Sequence, residues 1–182
     1  MNLRLMAAEI WVPRHLRDRN FRRLFALTAQ AFETEIPGLD GLSFAAARRE
    51  YARFTTEQVE RRSGDAAAGI RMKDRLGESA LAFGRDLRRE LGVRSAAEVM
   101  RAARILYRLL VIDFQGSASG GIVIRKCFFA GAYTPQTCAF ISALDAGILA
   151  GLAGGGRLEF FERITEGRPC CLARFEPPAG LR

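Results

Sequence analysis

Thr134-Pro135-Gln136-Thr137-Cys138-Ala139-Phe140-Ile141-Ser142-Ala143-Leu144-Asp145-Ala146-Gly147-Ile148-Leu149-Ala150-Gly151-Leu152 is the stretch on which the fold turns. Thr134 suits a helix N-cap and Pro135 the first helical position, where a fixed φ and a missing N–H cost nothing. From Ala139 to Leu152 the only ionisable side chain is Asp145. Phe140, Ile141, Leu144, Ile148, Leu149 and Leu152 leave no polar side, so the spacing predicts a helix buried all round. A carboxylate carried inside with it is costly unless it is paired, hydrogen-bonded or neutralised. Chemistry or a ligand is therefore expected first at Asp145.

Outward from this helix the period changes on both sides. Leu109 to Phe114 and Ile122 to Phe129 are β-rich runs, joined by the hairpin chemistry of Gln115-Gly116-Ser117-Ala118-Ser119-Gly120-Gly121. Beyond the helix, Gly154-Gly155-Gly156 reverses the chain. Arg157 to Thr165 and Cys170 to Glu176 then make a second hairpin, turned by Glu166-Gly167-Arg168-Pro169 and stopped by Pro177-Pro178. Upstream, residues 1 to about 112 read as helices. Arg14 to Phe32 aligns Phe21, Leu24, Phe25, Thr28 and Phe32, ending at Ile36-Pro37-Gly38. Ser43 to Arg62 aligns Phe44, Ala47, Tyr51 and Phe54 and stops near Ser63-Gly64. A long helix from Asp65 to Leu91-Gly92 carries Ile70, Leu76, Ala80, Phe83 and Leu87, and Ser95-Ala96-Ala97-Glu98 is a capping box for one more. These stripes predict core packing. The expected architecture is α+β: a helical N-terminal half, then β-β-α-β-β with a small, mostly antiparallel sheet. One domain is expected over 1–182, with N-terminal helices to 64 and a ligand-handling core over 65–178.

The chain has 182 residues, 49% of them hydrophobic and 26% charged, the balance of a soluble globular domain. No charge- or glycine-free apolar run reaches the ~18 residues of a membrane span, and the first residues do not read as a secretion signal. No membrane partner is expected. Cys127, Cys138, Cys170 and Cys171 all fall in the last third, two of them adjacent, which suits free thiols in a reducing cytoplasm better than disulfides. The net charge is +8, but arginines mixed with acids and lacking a recognition motif make nucleic acid an unlikely partner. Several phenylalanines on the first helix would, if exposed, make a homodimer.

Three side chains share one helical stripe: Cys138, Ser142 and Asp145. Cys138 lies about one turn in, where the helix dipole favours a thiolate nucleophile, and Asp145 would be a general base. Arg163 or Arg125 would pair with Asp145. Cys170 and Cys171 are neighbours on a strand, so at most one can face this site. Cys127, Cys138, Cys171 and Asp145 form a conceivable set for zinc or iron, without a regular spacing or a nearby histidine. His15, the single histidine, lies among arginines and reads as a surface residue.

The run Ile124-Arg125-Lys126-Cys127-Phe128-Phe129, the helix with Cys138 and Asp145, and Arg163-Ile164-Thr165-Glu166-Gly167-Arg168-Pro169-Cys170-Cys171 with Phe175 resemble two related groups. One is the L-2-amino-thiazoline-4-carboxylic acid hydrolase family; the other is the 4-vinyl-reductase-type ligand-binding domain. The resemblance covers about Asp65 to Phe175. With the zinc-bearing members of the second group, Cys138 and Cys171 would be two retained ligands, while the other two positions fall near Phe160 and Arg163. The arginine suits the hydrolase pattern and would clamp a substrate carboxylate. A fainter similarity, through Ile124-x-Lys126-Cys127 and Pro177-Pro178, is to the C-terminal part of plant β-carotene isomerase and implies iron. The leading expectation is a small cytoplasmic hydrolase of a thiazoline-like metabolite without a cofactor. Cys138 and Asp145 would be catalytic, with Arg163, Ser142, Thr165 and Arg125 holding substrate. The alternatives are a non-catalytic binder of a small apolar or aromatic molecule and a metal-dependent isomerase.

Overall fold

The long apolar helix forms where the sequence places it. In the computed structural model, which describes residues 2–62 and 64–181, α6 spans Pro135–Ala153 with the Thr134 hydroxyl accepting from the Thr137 N–H at 3.1 Å. Before it come α1 (Leu3–Ile10), α2 (Arg14–Ala31), α3 (Phe44–Arg62), α4 (Ala66–Leu91) and α5 (Ala96–Leu109). Strands β1 (Ile112–Gly116) and β2 (Gly121–Cys127) precede α6, and β3 (Arg157–Glu162) and β4 (Cys171–Glu176) follow it. This is an α+β fold. The expected stop of α3 at Ser63 lies outside the described residues.

From Thr137 to Ala153 no residue of α6 is exposed. By length and composition alone this helix is apolar enough to cross a membrane, but here it is sandwiched between α4 and the sheet. Its face toward α4 is built from glycine. A Cβ on Gly151 would meet the Leu81 carbonyl oxygen at 2.4 Å and the Gly84 Cα at 2.7 Å; one on Gly147 would meet the Gly77 carbonyl oxygen at 2.3 Å. The two backbones therefore touch, which only residues lacking a Cβ permit. At the start of α4 it is Met72 that turns inward, and Ile70, expected in the core, is exposed.

The sheet order is β1-β2-β4-β3, with every neighbouring pair antiparallel. The central pairing sets Ile122 against Ala173 and Ile124 against Cys171. Period-two alternation turns Phe114, Ile122, Ile124, Cys171, Ala173 and Phe175 inward. Three strand limits differ from the sequence reading. Leu109 ends α5, and Val111, at φ 60, makes the turn into β1; an apolar run shared by a helix end and a strand start has no period of its own. Phe128–Gly131 and Ile164–Glu166 are single 3-10 turns instead of strand ends. Both turns matter below, because they shape the site.

The phenylalanines of α2 do not form a surface. Phe21, Phe25 and Phe32 are buried against Phe44, Tyr51, Phe54 and Phe140. These rings offer no face to a second copy.

Candidate functional site

Between α6 and the inner face of the sheet lies a partly open cavity of about 80 Å³. That is room for a few waters or a very small molecule, below the ~300 Å³ of a drug-sized pocket. Cys138, Ser142 and Asp145 reach it from the one stripe of α6, Ile124 and Cys127 from β2, Cys171 from β4, and Thr165 from the second 3-10 turn. Leu24 of α2 and Tyr51 of α3 close the far side. A larger open groove, about 1160 Å³, runs beside β1, but it gathers no comparable set of reactive groups.

Asp145 receives a hydrogen bond at Oδ1 from the Tyr107 hydroxyl at 2.6 Å. Tyr107 stands at the end of α5, stacked on Phe114 with ring centroids 4.8 Å apart. The expected ion pair of Asp145 with Arg163 or Arg125 is not formed. Burial pushes the carboxyl up to about 6, against the opposing pull of the Tyr107 hydrogen bond and of the Arg163 charge. Since Asp145 lines the cavity, part of its surface faces that space instead of packed atoms.

All three tyrosines of the chain, Tyr51, Tyr107 and Tyr133, line this one cavity. Tyr133 Oη is 2.8 Å from Thr55 Oγ1, and Tyr51 Oη is 3.1 Å from Thr28 Oγ1. Thr28 and Thr55 in turn donate to the Leu24 and Tyr51 carbonyls, which fixes each hydroxyl in place. Burial raises all three phenols, so they stay protonated donors. The sequence pattern marks Tyr51 as core and does not single out Tyr107 or Tyr133. A tyrosine on a helical stripe looks like packing; the signal available is that buried tyrosine hydroxyls usually have partners.

Burial raises Cys127 to about 12 and pushes Cys138 and Cys171 upward. For Cys138 desolvation outweighs the nearby hydroxyl of Thr165 and the charge of Arg163. Cys171 Sγ accepts the Ile164 N–H at 3.4 Å, and Cys170 does not line the cavity. Ser142 Oγ donates to the Cys138 carbonyl at 2.8 Å, bonding back along its own helix.

Thr165 Oγ1 and Arg163 Nε are buried without a hydrogen bond of ordinary geometry. The Arg163 guanidinium sits 4.9 Å from the centre of the Phe160 ring, with Nη1 3.4 Å from Glu166 Oε1. It stands behind the wall and does not line the cavity itself. Arg125 is exposed on β2 and lies away from the site.

The zinc or iron implied by two of the resemblances does not fit these residues. Among the described residues no three histidine, cysteine, aspartate or glutamate side chains gather to hold an ion. Cys127 takes the Phe129 and Ala130 N–H groups, Cys171 that of Ile164, and Asp145 the Tyr107 hydroxyl. Compared with protein-family models, curated proteins and solved structures, the chain finds no match in any of the three. The hydrolase resemblance accordingly rests on the quoted motifs alone.

Proposed function

We propose that this chain is a small cytoplasmic enzyme of the thiazoline-hydrolase type, with Asp145 as its acid–base group. The observation that carries the reading is the Tyr107–Asp145 pair: a carboxyl held by one hydroxyl, facing a cavity, and pushed up to about 6 by burial. A general base works best when its pKa lies near the working pH. Groups displaced in this way concentrate at functional sites.

For a small heterocycle with a cyclic C=N bond, the carboxylate takes a proton from water as the water oxygen adds to the ring carbon, and passes it to the ring nitrogen as the C=N bond becomes single. The added hydroxyl then gives up its proton through the same carboxyl, the carbonyl forms, and the C–N bond breaks as the nitrogen takes this second proton and leaves as the amine. The Thr165 hydroxyl, buried without a partner, suits a polar group of the substrate, and Arg163, from behind the wall, adds a positive charge that favours a substrate carboxylate. Cys138 enters as a neutral thiol and shapes the wall. A substrate larger than the cavity requires the wall to yield.

The second reading is a binder of a small apolar or aromatic molecule. The raised thiols and the ring of Tyr51, Phe129, Tyr133 and Phe160 favour it. One experiment separates the two. A panel of cyclic amino-acid derivatives, including 2-aminothiazoline-4-carboxylate, is incubated with the protein and followed by NMR. Turnover that falls by about 10²–10⁴-fold in Asp145→Asn supports the enzyme. Saturable binding without product supports the binder, and turnover unchanged in the variant refutes the role of Asp145.

A further inference from the structure

Helix α1 wears its apolar side outward. Leu3, Met6, Ala7 and Ile10 fall within one face of the helix and all are exposed, Leu3 by 66% and Ile10 by 85%. Trp11, the single tryptophan of the chain, caps the helix and is 67% exposed. A surface helix of a globular protein shows the reverse pattern. The body of the protein takes Leu5, which is fully buried, and Ala8, which is half-buried against the core.

The helix is nevertheless firmly seated. Its N-cap Asn2 donates to the Leu91 and Gly92 carbonyls at 2.9 and 3.0 Å. Glu9 accepts two hydrogen bonds from Arg101, and Arg108 donates to the Ala8 carbonyl at 3.3 Å. The ridge is thus a presented feature of the fold.

Charge decides what it suits. Along one flank α5 carries Arg101, Arg104 and Arg108, spaced by three and four residues on one stripe. Arg104 and Arg108 are exposed, as are Arg4 and Arg14 at the two ends of α1. Of the acids here, Glu9 is committed to Arg101 and Glu98 to the Arg94 N–H, and Asp113 shares the groove beside Arg104 and Arg108 with Lys126, which leaves the flank net positive. Two copies meeting at this face would set arginines against arginines, a juxtaposition that costs affinity. The patch is also on the order of a few hundred Å², short of the ~800 Å² per partner of a stable protein interface. Apolar side chains and an indole ringed by cations match the boundary of an anionic bilayer.

We propose that the outer face of α1 with Trp11, flanked by Arg104 and Arg108, docks the protein on an anionic membrane surface. This is a surface contact, with no span, and it is independent of the cavity and its chemistry. It departs from the expectation of no membrane partner.

The position of Trp11 makes the test direct, because all indole fluorescence reports on the patch. The full chain is titrated with vesicles of phosphatidylcholine containing about one-third phosphatidylglycerol. Trp11 emission is expected to move to shorter wavelength, to lose its quenching by acrylamide, and to revert at ~1 M salt, where the Debye length is ~3 Å. Ile10→Asp, at a position the core does not use, is expected to weaken partitioning at least tenfold. Arg104→Gln and Arg108→Gln should each weaken it about fivefold. Far-UV circular dichroism confirms that the variants fold. Emission unchanged by these vesicles overturns the proposal. So does a blue shift that rises with protein concentration in the absence of vesicles, which would assign the face to a second copy.

Discussion

Asp145→Asn should make this protein more stable at neutral pH, and the gain can be worked from the site. Burial raises the carboxyl from 3.8 to about 6. The folded state therefore binds this proton more tightly than the unfolded chain does. Its contribution is present in full below the unfolded value and is lost as pH rises through the folded one. At ~1.4 kcal/mol for each tenfold change in proton affinity, that rise makes the ionised group cost about 3 kcal/mol above neutrality. Asparagine keeps an oxygen for the Tyr107 hydroxyl but accepts a weaker hydrogen bond, which returns about 1 kcal/mol. The net gain is about 2 kcal/mol at pH 7.5, or roughly 4–8 °C in Tm for a chain of this size. Urea denaturation of both proteins between pH 3.5 and 8 is the assay. The stability gap should open between about 4 and 6 and stay flat above 7. A gap that is absent at pH 7.5, or does not vary with pH, refutes a desolvated, titrating carboxyl. Tyr107→Phe is the companion: it strips the carboxylate of its donor, and so should destabilise by about 1–3 kcal/mol at pH 7.5 and less at pH 4.

Two further outcomes are expected. Gly151→Ala must drive a methyl into the backbone of α4, so urea unfolding should report a loss of at least the ~1–3 kcal/mol of ordinary overpacking. Iodoacetamide at pH 7.5, read by mass spectrometry of peptides, should modify Cys127 far more slowly in the folded protein than in urea, because its buried thiol is held near 12; rapid alkylation of the folded state would contradict the described burial.

The sequence is rich where periodicity and caps speak. Thr134-Pro135 and the apolar run that follows announce α6 and its odd carboxylate, and Ile141, Leu144, Ile148, Leu149 and Leu152 are buried as expected, with Phe140 half-buried against the core. The stripe Cys138–Ser142–Asp145 is legible because a helix repeats its azimuth every seven residues. Its partner is not. Tyr107 lies 38 positions away in the chain and belongs to a helix whose local pattern says only that one face is apolar. Arg163 and Arg125 are equal candidates in the sequence. Arg125 sits at an outward-facing position of β2, while Arg163 lies just past the end of β3 at the start of a 3-10 turn that the sequence reads as strand.

By itself the sequence determined the class of the fold, the order of its helices from α2 onward and of its strands, and the single costly residue in the core, since these follow from local propensity and hydrophobic period. Helix α1 (Leu3–Ile10) is not among them. The tertiary structure alone decided the sheet order, the contact of glycine-lined α4 and α6, the convergence of three tyrosines on the cavity that holds Asp145, and the outward apolar face of α1. Each of these is a meeting of segments far apart in the chain. Burial, and with it the pKa of a carboxyl or thiol, is a property of that meeting and has no local signature.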